Sequence, residues 1–175
     1  MKKTLKIASI ASIFAISAIF GMFASNIDTT PELGHASMDI VDLQDQVEKS
    51  DYAVIGVVKE VGQPYPVKSD YAPRYFGDVI FAVEEDLFGT VGEKEITIRT
   101  HANVAEEVNF KVGERALLFL VKSSAENVEG EGVYVVRGMF QGKFSIENGI
   151  VKDPKYEELT YDESDLKTQI ISSKG

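Results

Sequence analysis

Apolar positions along the chain follow three different periods, and each period predicts a different kind of element. Residues Ile7 to Ala24 are an unbroken run of small and apolar side chains. From Ser37, Ile40, Leu43 and Val47 recur at helical spacing, with Asp39 and Asp42 toward the start and Lys49 at the end, which predicts a short amphipathic helix. Beyond Tyr52 the period falls to two, the signature of strands. The densest stretch is Phe110 to Val121: a turn at Val112-Gly113-Glu114 leads into the consecutive apolar residues Ala116 to Val121. That run is too short for a membrane span and is bounded like a strand, so it reads as a central strand buried on both faces.

The remaining elements fall around it. Tyr52 to Val61 reads as a strand with Ala53, Ile55, Val57 and Val61 on one face, and Gly56 on the other marks a bulge or sharp bend. Gln63 to Arg74 carries Pro64, Pro66 and Pro73, which forbid a central strand and predict a long, stiffened loop bearing Tyr65 and Tyr71. Strands follow at Asp78 to Glu85 and Glu95 to Thr100, the latter with Ile96 and Ile98 inward against Thr97 and Arg99. His101 to Asn109 is a polar connection, and Lys122 to Gly132 reads as a mobile acidic loop. Val133 to Arg137 is a strand that Gly138 breaks and Phe140 to Ile146 resumes. Asn148-Gly149 is the strongest hairpin signal in the chain, because both residues tolerate the positive φ of a type I′ turn. A terminal helix through Leu166, Ile170 and Ile171, capped by Ser164 or Asp165, is expected to dock its apolar side on the strands.

Charge and the N-terminus set the compartment. Lys2, Lys3 and Lys6 give the first 26 residues +3, so the rest carries −13 against the total of −10. Such a body repels nucleic acid, which is bound through clustered Lys and Arg. Three lysines before an apolar run are the layout of an export signal, and the expected location is extracytoplasmic. Met22-Phe23-Ala24 offers only one of the two small residues that a cleavage site wants, whereas eighteen helical residues span about 27 Å, close to a hydrocarbon core. Residues 1–25 are therefore a signal peptide or an uncleaved membrane anchor, 26–36 a linker, and 37–175 one domain with its flanking helices.

The stretches Ser50 to Val58, Phe81 to Glu84 and Phe110 to Leu120 make the body, from about Asp51 to Val151, resemble a small barrel of the oligonucleotide/oligosaccharide-binding (OB) type. It is similar to the tissue-inhibitor-of-metalloproteinases and netrin-like modules and to uncharacterised exported bacterial and archaeal proteins. The resemblance implies a mainly β fold: a closed or partly open antiparallel barrel of about five to seven strands, with one short helix before it and one after. In the metalloproteinase inhibitors an N-terminal cysteine reaches the target's zinc and disulfides hold that edge. This chain has no cysteine, so the resemblance carries architecture and not that inhibitory mechanism.

Chemistry is sparse. Serine catalysis needs a positioned base, and His101 and the linker-borne His35 are the two histidines, with no Gly-x-Ser-x-Gly elbow. The acidic clusters at 84–86, 129–131, 157–158 and 162–165 lack the spacing of an EF-hand loop and read as a solvated face, with weak calcium binding the alternative. No cofactor and no metal site is expected. The residues most suited to contact a partner are Tyr65, Tyr71, Arg74 and Tyr75, because the connection between the first two strands of an OB-type barrel helps line its binding face, and tyrosine gives large contact area at low entropy cost. The expectation is a non-catalytic, membrane-tethered binding module for a protein or cell-envelope component, with no nucleic acid. The alternatives are an extracytoplasmic metal-dependent enzyme and a protease-inhibitor-like module.

Overall fold

The chain divides into two compact units, Met1–Pro31 and Glu32–Gly175. The computed structural model describes residues 42–68, 73–102, 104, 107–124, 129–156 and 158–175, all in the second unit. The apolar run 7–24, the linker and Tyr71 lie outside the described residues. No described helix is long and apolar enough to cross a membrane.

The described chain is mainly β. Its elements in order are α1 (Leu43–Lys49), β1 (Tyr52–Val61), β2 (Tyr65–Val67), β3 (Arg74–Phe88), β4 (Glu95–His101), β5 (Arg115–Lys122), β6 (Tyr134–Val136), a 3-10 turn (Met139–Gly142), β7 (Lys143–Glu147), β8 (Ile150–Lys152), β9 (Thr160–Asp162) and α2 (Glu163–Lys174). β1 pairs with β3 on one side and β5 on the other, β3 with β4, β4 with β6, and β6 with β5, which closes a five-stranded barrel. All of these pairings are antiparallel except β4 with β6, which is parallel at Ile98↔Tyr134. The closed ring is consistent with an OB-like fold. β7 lies beside the first half of β5, and β8 and β9 extend the sheet from it.

Two cores follow from the alternation along β5. Ala116, Leu118 and Leu120 point into the barrel, where they meet Val54, Val58, Val79, Phe81, Ile96 and Ile98. Leu117 and Phe119 point the other way and, with Ala53, Ile55, Phe144 and Val151, form a second core under Val47 of α1 and Leu166 and Ile170 of α2. The expected strand buried on both faces is thus the wall shared by both cores. Val108 and Phe110, in the connection before β5, also join the barrel core.

β1 alternates regularly against β5 but slips against β3. The pairing with β3 shifts register between Ala53 and Val54, between Ile55 and Gly56, and between Val58 and Glu60. Ala53 and Ile55 share one face, as expected, and lie in the second core, Val54 and Val58 face the barrel, and Val61 is exposed. Gly56 is where the bend brings backbones together: a Cβ there would sit 2.1 Å from the Ala82 carbonyl oxygen. No side chain fits at that separation, so closure of β1 onto β3 depends on glycine.

Other boundaries differ for local reasons. The loop expected over 63–74 contains β2, which pairs with the start of β3 through Tyr65↔Phe76 and Val67↔Arg74, so β3 begins at Arg74 rather than Asp78. Pro64 and Pro66, two apart, remove donors from a single edge of this segment; β2 bonds to β3 with the other, and its outer edge is left poor in donors. Phe140 does not resume a strand, because Gly138 in the left-handed region (φ 67°) starts the 3-10 turn and β7 begins at Lys143. Asn148 and Gly149 adopt φ of 53° and 77°, as a type I′ turn requires. α2 is capped not by Ser164 or Asp165 but by Asp162, whose carboxylate accepts from both of their backbone N–H groups. Ile171 is 50% exposed and outside the core. Lys174, at the far end of α2, donates to the Val47 and Ser50 carbonyls at 2.8 and 2.9 Å, supplying partners that the end of α1 lacks.

Candidate functional site

The outer face of β3 and β4 collects the polar groups that are not spent on the cores. Antiparallel pairing places Asp78 opposite Arg99 and Phe76 opposite His101, and β2 adds Tyr65 opposite Phe76, giving one face across three strands. Arg99 grips Asp78 with both arms of its fork, Nε to Oδ1 at 2.7 Å and Nη2 to Oδ2 at 2.9 Å. The Tyr65 hydroxyl donates to the same carboxylate at 3.1 Å, and the Arg99 guanidinium lies 5.7 Å from the Tyr65 ring centre. The bonds from Arg99, joined by the one from Tyr65, hold the Asp78 carboxyl below the usual carboxylate range against the opposing effect of burial. The same pair raises the affinity of Arg99 for its proton, and burial followed by the bond to Asp78 pushes the Tyr65 phenol up.

Arg99 has a third partner. Its Nη1 donates to the backbone carbonyl of Glu129, and the Glu129 carboxylate lies 3.1 Å from His101 Nε2. Gly130, at φ 84°, turns the chain back directly beside Arg99: a Cβ there would lie 3.5 Å from Nη1. The His101 ring packs against Phe76 at 4.8 Å, and its backbone N–H donates to Glu107. Burial raises the Glu107 pKa although the Val108 and His101 N–H groups favour its charged form. The connection after β1 and the connection after β5 are therefore fastened to the same guanidinium, one through Tyr65 and Asp78, the other through Glu129.

The four expected contact residues divide. Tyr65 is half-buried and belongs to this network. Arg74 and Tyr75, at the start of β3, are exposed, Tyr75 to 37%. Tyr71 lies outside the described residues. The residues that unaided pattern reading missed are Asp78, Arg99, Glu129 and Glu107, and His101 is tied to the last two. Alternation marks Arg99 as outward-facing, but the β3–β4 ladder ends at Ala82↔Glu95 with no tight turn to count from, so its meeting with Asp78 is set by the fold. Nothing local points to Glu129, which is thirty positions from Arg99.

Most acidic clusters act as ties rather than as an open face. Arg115 binds Glu84 at 2.7 Å and Glu163 at 2.8 Å, and Lys167 binds Glu85 at 2.5 Å, which fastens α2 to β3 and β5. Among the described residues no group of three or more His, Asp or Glu is placed to hold a metal ion. An open groove of about 870 Å³ runs between the 108–115 connection and the β7–β8 hairpin. Its charged residues are largely paired: Glu114 accepts from Lys143 and from Ser145, each at 2.6 Å, and burial of Glu114 is outweighed by these bonds, so its pKa falls.

Compared with protein-family models and with curated proteins, the chain matches none.

The Asp78–Arg99 pair is 31% and 20% exposed, sheltered enough for its bonds to count. Asp78→Asn is expected to cost about 1.5 kcal/mol in urea unfolding at neutral pH. Because the folded pKa of Asp78 is lowered, its stabilisation is full above the ordinary carboxylate range, near pH 4, and is lost as pH falls through the lowered value. The gap between wild type and Asp78→Asn should therefore close in acid; a gap that persists into strong acid contradicts the assignment.

Proposed function

We propose that this chain is an exported, membrane-tethered, non-catalytic barrel module that binds a protein or cell-envelope component across the β2–β3–β4 face, with Tyr65, Tyr71, Arg74 and Tyr75 as its contact residues. The observation that carries this reading is the convergence of the two long connections on Arg99, which fixes a shelf before any partner arrives. A surface ordered in advance loses less entropy on binding than one ordered by the partner. Arg74 stands at its rim and the exposed Tyr75 on the other side of the same strand end, residue types that favour interfaces, on a domain whose charge is otherwise strongly negative.

Several features favour a binding role over catalysis. Arg99 Nε, Nη1 and Nη2 all bond to groups of the protein itself, so the network holds a shape. The donor-poor outer edge of β2 disfavours recognition by strand addition and leaves it to side chains. The resemblance to the metalloproteinase-inhibitor and netrin-like modules supports a protein-binding role for the barrel, without the cysteine-dependent mechanism of the inhibitors. Export and tethering rest on the lysines and apolar run of residues 1–25.

Replacing Tyr65, Tyr71 and Arg74 together by alanine is expected to abolish recovery of partners from a cell-envelope extract while leaving the cooperative unfolding transition in place. Unchanged recovery by a folded triple variant refutes the assignment of this face. Tethering predicts that mass spectrometry of the membrane fraction finds the intact N-terminal segment. A mature chain starting near Ser25 would show instead that the segment is removed.

A further inference from the structure

The chain has five asparagines, and in four of them the next residue is bulky: Asn26-Ile27, Asn103-Val104, Asn109-Phe110 and Asn127-Val128. The fifth, Asn148, precedes Gly149 at the tip of the β7–β8 hairpin. Asn148 is exposed, and the space where Gly149 would carry a Cβ has no atom within 4 Å. Without a side chain, the Gly149 backbone nitrogen is the least crowded nucleophile adjoining any asparagine of the chain. Glycine is also the residue least restricted in φ and ψ.

We propose that Asn148 is a modification site, at which the chain deamidates spontaneously and inserts an isoaspartyl linkage. The Gly149 backbone nitrogen attacks Asn148 Cγ and gives up its proton; the new N–Cγ bond closes a five-membered imide, the Cγ–Nδ2 bond breaks, and ammonia leaves. Water then adds to one of the two imide carbonyls. Opening on one side gives aspartate, and on the other isoaspartate, in which the main chain runs through Cγ. The only co-reactant is water.

The fold controls both the rate and the consequence. The turn holds Asn148 and Gly149 at φ of 53° and 77°, the type I′ geometry, and the paired strands on either side limit the backbone rotation that ring closure needs. Ring closure therefore proceeds through local opening of β7 and β8, a short hairpin near the edge of the sheet. Isoaspartate adds a methylene to the main chain inside a two-residue turn, which is incompatible with the Glu147↔Ile150 register. It also displaces the Gly149 carbonyl, which accepts from the Glu163 backbone N–H at 2.9 Å in the first turn of α2. Either product adds a carboxylate next to Glu147 and close to that acidic helix start. The modification thus acts on the junction that fastens α2 to the second core.

The test is peptide mapping of the full chain after incubation in mildly alkaline buffer, with asparaginyl, aspartyl and isoaspartyl forms separated and quantified. Asn148 is expected to convert about tenfold or more faster than Asn109, a difference of about 1.4 kcal/mol in barrier. Urea sufficient to unfold the domain should accelerate Asn148 further, and Asn148→Asp, which keeps the normal main chain, should retain the protection of α2 amides that the isoaspartyl fraction loses. Conversion at Asn148 no faster than at Asn109 overturns the proposal. Conversion unaffected by unfolding, or isoaspartyl protein with undiminished α2 protection, overturns the role of the fold.

Discussion

A single strand is asked to satisfy two hydrophobic cores at once. Every residue from Ala116 to Leu120 is buried, the even-numbered ones in the barrel and the odd-numbered ones beneath the helices. A strand with no polar face has to be paired along its edges and covered on both sides, since unpaired buried backbone groups are expensive. β5 meets that demand with β1 on one edge and, on the other, β6 along its second half and β7 along its first. Closure of the barrel and attachment of the helices are therefore two consequences of one constraint. Gly56 in β1 lets the neighbouring strand bend enough to serve both β3 and β5.

The β3–β4 face is free to carry polar groups because the cores make no claim on it. β3 runs for fifteen residues, beyond the end of β1, and its first part pairs with β2 instead. The extension brings Tyr65 alongside Asp78, and the connection after β5 returns to place Glu129 over the same site. Charge-assisted bonds in a half-buried setting fix orientation well, and the Arg99 fork adds geometric specificity. Arg74, on the same side of β3 as Asp78, then stands at the rim of a surface whose shape is already set, while Tyr75 faces the other side of the strand.

Features that depend on one or two residues were legible in the sequence. The apolar run of β5, the bend at Gly56, the Asn148-Gly149 turn and the pairs Val47 with Leu43 and Leu166 with Ile170 each carry a local physical requirement that few other residues meet. Features set by pairing were not. Which face of β1 enters the barrel, that of Val54 and Val58, and where β1 slips against β3 are set by its partners, and a strand containing proline hid in what reads as a loop. The polar network was legible only as the outward position of Arg99 in its strand; its partners Asp78 and Glu129 are brought to it by strand register and a returning connection. Tyr65 could be singled out for its type and place, whereas the half-buried position it occupies depends on Asp78, fixed only by the fold.

If β5 couples both cores, the domain unfolds as one unit. Native-state hydrogen exchange measures this most directly, because it reports the opening free energy of each amide. The account predicts that the Leu117–Leu120 amides of β5, Ile98 of β4 and Ile170 of α2 all exchange through the same global opening, with the same free energy and the same urea dependence. Exchange of Ile170 through a markedly cheaper opening, while β4 and β5 stay protected, would contradict it and make the helical layer a separate unit.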